Sequence, residues 1–113
     1  MAVTIYHNPK CSNSRGVLEI IRDAGIEPII IEYLNASLSA ADIAALLAAM
    51  KAKPRDIIRA KESIFAELHL DTASDAKLIE AIAAHPILLN RPIVVTDKGA
   101  RLCRPPELVR DLL

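Results

Sequence analysis

Cys11 sits in the stretch His-Asn-Pro-Lys-Cys-Ser-Asn-Ser-Arg, residues 7–15, among polar and turn-forming neighbours where a thiol adds little to a core. The thiolate is the nucleophile, and an unperturbed cysteine of pKa about 8.5 is only a few per cent ionised at neutral pH. Helical spacing starts just downstream, with Val17, Leu18, Ile20, Ile21 and Ala24, so Cys11 falls at the entrance of a helix. First-turn N–H groups and the positive end of the helix dipole favour an anion there. Lys10 and Arg15 add positive charge, and the hydroxyls of Ser12 and Ser14 are available as donors to the sulfur. Cys11 is therefore the candidate nucleophile, in a loop that can also cradle a tetrahedral oxyanion. A multiply charged oxyanion needs guanidinium groups as well, because Arg offers planar, bidentate donors that stay charged. Arg15, Arg22, Arg55, Arg59, Arg91, Arg101 and Arg104 are the candidates, and spacing alone does not choose among them. Cys103, beside Leu102 in a predicted strand, reads as a buried inert thiol.

The elements that must position these groups follow from the pattern. Val3 to Tyr6 reads as a strand running into the Asn8-Pro9 turn, and Gly25 falls just past the end of the first helix. The run Ile-Ile-Ile-Glu-Tyr after Pro28 suits a strand buried on both faces. Strand, helix and strand within about 30 residues mark a right-handed βαβ unit with parallel strands. The middle of the chain then reads as all helix. Ser39 and Asp42 make a capping-box start to a stripe of Ile43, Leu46, Leu47 and Met50. Pro54 opens a second helix carrying Ile57 and Ile58, and Ser74 opens another that Pro86 stops. Ile93 to Thr96 is expected to pair with Arg101 to Arg104 across Asp-Lys-Gly-Ala, with Gly99 free to take a positive φ, and Pro105-Pro106 launch a short last helix.

Composition narrows the function classes. The 113 residues are 52% hydrophobic and 25% charged, as in an ordinary globular chain, and 14 basic residues balance 14 acidic ones. No global field recruits nucleic acid or an anionic membrane, and 3% aromatics leave no stacking platform for bases. The start of the chain lacks the basic-then-apolar pattern of an export signal, so a cytoplasmic location is expected, with Cys11 and Cys103 as free thiols. Neither the two cysteines nor His7, His69 and His85 have metal-site spacing, so no metal is expected.

The segments "YHNPKCSNSR", "RAKE", "HPILLNRPIVV" and "RLCRPPE", which span nearly the whole chain, resemble the glutathione- and glutaredoxin-dependent arsenate reductases of bacteria. The resemblance implies an α/β, thioredoxin-like domain over residues 1–113. Its mixed four-stranded sheet would be interrupted by a helical insertion at about 39–86, between a βαβ half and a ββα half. It also implies that Cys11 is the nucleophile, that Arg59, Arg91 and Arg104 clamp the oxyanion, and that His7 and Ser14 tune or hold the thiolate. Pro92 matches a proline kept cis beside the active loop. The substrate implied is arsenate. Glutathione would be the co-substrate and glutaredoxin the redox partner, with no bound cofactor. "RDIIRAKE" offers Arg55 as well as Arg59, four residues apart and on one helical face.

Two other functions fit the same residues. One is a glutathione-dependent thiol reductase acting on another substrate, with the arginines holding carboxylates. The other is a redox regulator of the related Spx type that binds RNA polymerase. Such regulators sense through a C-x-x-C pair, whereas here Cys11 is followed by Ser14.

Overall fold

The computed structural model describes residues 2–113, which form two compact units. The first consists of the residues up to Ala36 together with Arg91–Leu113, and the second is Ser37–Asn90.

In the first unit, β1 (Thr4–His7) leads through a turn into α1 (Ser12–Asp23), and β2 (Ile29–Glu32) follows. After the second unit the chain returns as β3 (Ile93–Thr96) and β4 (Gly99–Leu102) and ends in a 3-10 helix, Pro106–Leu112. The four-stranded sheet has the order β2-β1-β3-β4. β1 runs parallel to β2 and antiparallel to β3, with Ile5 opposite both Ile30 and Val94. This is the mixed sheet of a thioredoxin-like fold.

One face of α1 explains its packing. Val17 and Ile21, four residues apart, are buried with Val3, Ile5, Val94, Cys103, Val109 and Leu112 in a single apolar cluster. Gly16 lets the last helix approach closely, since a Cβ there would meet Pro106 Cγ at 3.3 Å. Gly25, at φ 81°, closes the helix in the left-handed conformation that glycine takes without a steric cost.

β2 departs from the expectation of a strand buried on both faces. It is an edge strand paired only with β1, and Ile29 is 61% exposed. An apolar β-branched run has the same pattern at the edge of a sheet as at its centre, and the topology decides between them. The hairpin is also tighter than expected. Thr96 pairs with Gly99, so the turn is Asp97-Lys98, and β4 starts two residues earlier than the sequence pattern implies. Gly99 takes φ 132° at that junction. The last helix forms, but as a 3-10 helix.

In the second unit, α2 (Ala40–Met50) begins with the expected capping box. Ser39 Oγ accepts from Asp42 N–H at 3.0 Å, and Asp42 Oδ2 accepts from Ser39 N–H at 2.9 Å. Pro54 opens α3 (Pro54–Ile57), which lasts a single turn. Ile58 instead forms an isolated bridge with Leu89, so this region is not wholly helical. α4 (Ser63–Glu67), a 3-10 turn at Leu70–Thr72, α5 (Asp75–Ala84) and a 3-10 turn at Pro86–Leu88 complete the unit. Ile43, Leu46, Leu47, Ile57, Leu70, Leu78, Ala81, Ile82, Leu88 and Leu89 are among its buried apolar residues. Among the described residues, no helix is long and apolar enough to cross a membrane.

Candidate active site

β1 delivers the chain to a turn at Asn8–Lys10, where Cys11 N–H donates to Asn8 O at 3.0 Å. Cys11 is the N-cap of α1. Its backbone is extended at φ −94°, ψ 124°, and its carbonyl accepts the first helical bond, from Arg15 N–H, at 3.0 Å. Cys11 is 8% exposed. Burial pushes the thiol pKa up, yet the net displacement is downward. The peptide N–H groups of Ser14 and Asn13, the charge of Arg91 and the guanidinium of Arg104 together favour the anion more than burial disfavours it. Lys10 and Arg15, the nearest cations in sequence, are not the source of this effect. Arg15 is turned away, its Nη1 donating to Pro9 O at 2.9 Å.

The two arginines come from the open end of the hairpin. Ile93 pairs with Leu102, and Cys103 N–H donates to Pro92 O at 2.9 Å, so the ladder continues one step past the strands. Arg91 and Arg104 lie just beyond. Arg104 Nη1 donates to the Arg91 carbonyl at 3.0 Å and lies 3.9 Å from Cys11 Sγ. The Arg91–Pro92 bond is cis, and so is Arg104–Pro105, which the sequence did not single out.

His7 and Ser14 are both buried, with Ser14 Oγ 2.6 Å from His7 Nδ1. Asn8 N–H donates to the same Oγ at 3.0 Å, so the hydroxyl joins a peptide group and the imidazole. Burial holds the His7 pKa below its ordinary value, with Arg22 and Arg15 acting in the same direction and Glu32 opposing them. His7 is thus neutral near pH 7 and fixes Ser14. Ser14 acts on the sulfur through its backbone N–H, not through the hydroxyl anticipated from the sequence.

Asn13 was not singled out from the sequence. With its amide oriented to satisfy the surrounding donors, Asn13 Oδ1 accepts from Arg104 Nη2 at 3.2 Å and from Nη1 at 3.3 Å. The signal was a polar residue two positions after a candidate nucleophile on a helix first turn, but its partner lies 91 residues away in sequence.

The remaining cysteine and arginines have separate settings. Cys103 is fully buried, and desolvation pushes its thiol up to about 11. Arg59 and Arg55 belong to the second unit. Arg59 N–H donates to Leu88 O at 2.7 Å, and its Nη1 lies 3.7 Å from Glu62 Oε1. Arg55 Nη2 donates to Ala73 O at 2.8 Å and lies 3.5 Å from Leu70 O, so its guanidinium ties together the chain around Leu70–Thr72. Beside the reactive loop, a cleft of about 260 Å³ is lined by His7, Asn8, Pro9, Lys10, Glu32, Leu34 and Asn35.

The site therefore combines a thiol biased toward its anion with two converging guanidinium groups, the arrangement needed for nucleophilic attack on a tetrahedral oxyanion. Known proteins carry the same arrangement of sequence. The chain is 51% identical over its whole length to an arsenate reductase of Rhizobium meliloti, covering 82% of that protein, and 47% identical over 98% of its length to one from Escherichia coli, covering 80%. Its structure superimposes on an arsenate reductase from Vibrio cholerae with a TM-score of 0.95, at 43% identity and covering 100% of this chain and 98% of that one. The ArsC family pattern matches residues 6–112, and the chain belongs to that family.

Proposed function

We propose that the protein is an arsenate reductase, an oxidoreductase in which Cys11 attacks arsenate and external thiols supply the electrons. The observation that carries this reading is the position of Arg104 Nη1, 3.9 Å from a sulfur whose ionisation Arg91 also favours. Together with the similarity to named arsenate reductases, it selects an oxyanion as the electrophile.

In the first step the Cys11 thiolate forms a sulfur–arsenic bond, and one arsenate oxygen leaves as water after protonation. Arg91 and Arg104, with Arg59 as the third member of the clamp, neutralise charge on the remaining oxygens. Glutathione then displaces a second oxygen as water, so that arsenic(V) bridges two sulfurs. A glutaredoxin thiolate attacks the glutathione sulfur, forming a mixed disulfide and leaving the sulfur–arsenic electron pair on arsenic, which becomes arsenic(III). Hydrolysis of the Cys11–arsenic bond releases arsenite and restores the thiol.

Two features of the chain support the demand for an external thiol. Position 14, where a dithiol enzyme would place its second cysteine, is Ser14, whose hydroxyl is engaged with His7 and Asn8. Cys103 is buried, and its raised pKa leaves almost no thiolate at neutral pH. The test is arsenate-dependent NADPH oxidation with glutathione, glutaredoxin and glutathione reductase. Turnover requiring Cys11, arsenate and both thiol components is expected. Turnover only with a glutathionylated substrate would replace this reading with that of a general thiol reductase.

A further inference from the structure

The carboxamide of Asn13 contacts Arg104 through both terminal nitrogens, and Arg104 Nη1 in turn lies 3.9 Å from the sulfur. We propose that Asn13 is a positioning residue that fixes Arg104 over Cys11, so that the guanidinium is oriented before the oxyanion arrives.

Arg104 follows β4, and its long side chain has many rotamers to lose on being fixed. The structure supplies fixed acceptors from different segments of the first unit. The Arg91 carbonyl, 3.0 Å from Nη1, tethers the guanidinium to its own hairpin. Asn13 Oδ1, at 3.2 Å from Nη2 and 3.3 Å from Nη1, tethers it to α1, the element that carries Cys11 at its N-cap. The hairpin tether alone would let the guanidinium swing about the Nη1 contact, whereas the second acceptor fixes its direction. A neutral amide suits this role. It accepts from the guanidinium without cancelling the positive charge, so the charge remains available to the sulfur and the oxyanion. An aspartate at the same place would hold Arg104 as well but would add an anion beside a thiolate. Asn13 also presents its own peptide N–H to the sulfur, a contribution that no side-chain substitution removes.

This inference rests on the proposed arsenate chemistry only for its kinetic consequence, and the test keeps the two apart. The pH dependence of Cys11 alkylation is measured for the wild type, Asn13→Ala, Arg104→Ala and the double variant, alongside arsenate kinetics. Alanine has the highest helix propensity and Asn13 lies within α1, while Arg104 is exposed and outside the helices, so the variants are expected to fold, as circular dichroism will report. Asn13→Ala is expected to move the alkylation midpoint upward and to lower kcat/KM for arsenate by about three- to tenfold. In the Arg104→Ala background the same change is expected to do almost nothing, because residues acting through one contact are not additive. Asn13→Gln, which keeps the carboxamide, is expected to lie closer to wild type than Asn13→Ala. An unchanged midpoint in Asn13→Ala, an equal effect with and without Arg104, or a glutamine variant as impaired as the alanine one would each overturn the proposal. A wild-type protein inactive on arsenate would sink the assigned reaction instead, while the alkylation cycle would still report on Asn13.

Discussion

Ser14 Oγ stands 2.6 Å from His7 Nδ1 while accepting from Asn8 N–H, so one hydroxyl joins the end of β1, the turn after it and the first turn of α1. The reactive loop is held from beneath by this arrangement. Its hydrogen bonds join peptide, hydroxyl and imidazole, and none of the three groups carries a charge at neutral pH.

Ser14→Ala is expected to destabilise the fold by about 1–3 kcal/mol, because it leaves a buried imidazole nitrogen and a peptide N–H without their partner. Denaturant unfolding measures this. The Cys11 thiol should titrate close to its wild-type position, since the peptide N–H of residue 14 survives the change. A large upward move would mean that the hydroxyl, not the backbone, serves the sulfur.

Acidification should weaken the fold through His7. Its pKa is lowered by folding, so below the unfolded value of about 6.5 the unfolded chain takes up the proton before the native state does. The contribution is therefore complete above that pH, declines as pH falls toward the folded value, and levels off below it. Urea midpoints between pH 8 and pH 5 are expected to show this decline, and His7→Gln should flatten it. A midpoint that rises on acidification across that window would contradict the neutral imidazole.

The two thiols should separate cleanly by reactivity. In the native protein one equivalent of an alkylating reagent is expected to react, at Cys11, with a midpoint below that of a free cysteine. Cys103 should react only after unfolding. Cys103→Ala should retain turnover and Cys11→Ser should abolish it. Mass spectrometry of the labelled peptides checks the assignment.

Arg91→Ala and Arg104→Ala are each expected to lower kcat/KM for arsenate by up to about 10²–10³, the range of a lost oxyanion donor. Each should also raise the Cys11 pKa, because both side chains favour the thiolate. Wild-type kinetics in either variant would remove that residue from the clamp. Arg59→Ala, compared with Arg55→Ala, decides which arginine of the second unit matters. Arg55 is engaged by the carbonyls around Leu70–Thr72, so its loss should reduce stability with little effect on turnover.

The parts of this architecture written in local signals were legible from the sequence. Gly25 after α1, the Ser39 and Asp42 box, Pro54 at a first turn and Ser74 before α5 each act within a few residues, and each lies where the pattern puts it. Cys11 was readable for the same reason, since a strand, a turn and a helix entrance are consecutive. Long-range relations were not readable. The apolar run of β2 does not disclose that it has only one neighbour, and the spacing of seven candidate arginines does not disclose that Arg104 and Arg91 meet at Cys11. The Ser14 hydroxyl differs from the sequence reading in one respect, because it is engaged by His7 and Asn8 rather than by the sulfur. Asn13 was missed because its role depends on a contact with the far end of the chain.

The pairing of Ile93 with Leu102 has a mechanical consequence. Arg91 and Arg104 hang from opposite rails of one ladder, and the tight Asp97-Lys98 bend at the other end sets how those rails align. A residue inserted at the bend would slip one rail against the other and turn the side chains of the displaced strand to the opposite face. Catalytic alignment is thus exposed to an alteration made at the distal tip of the hairpin, several residue pairs from any reacting atom.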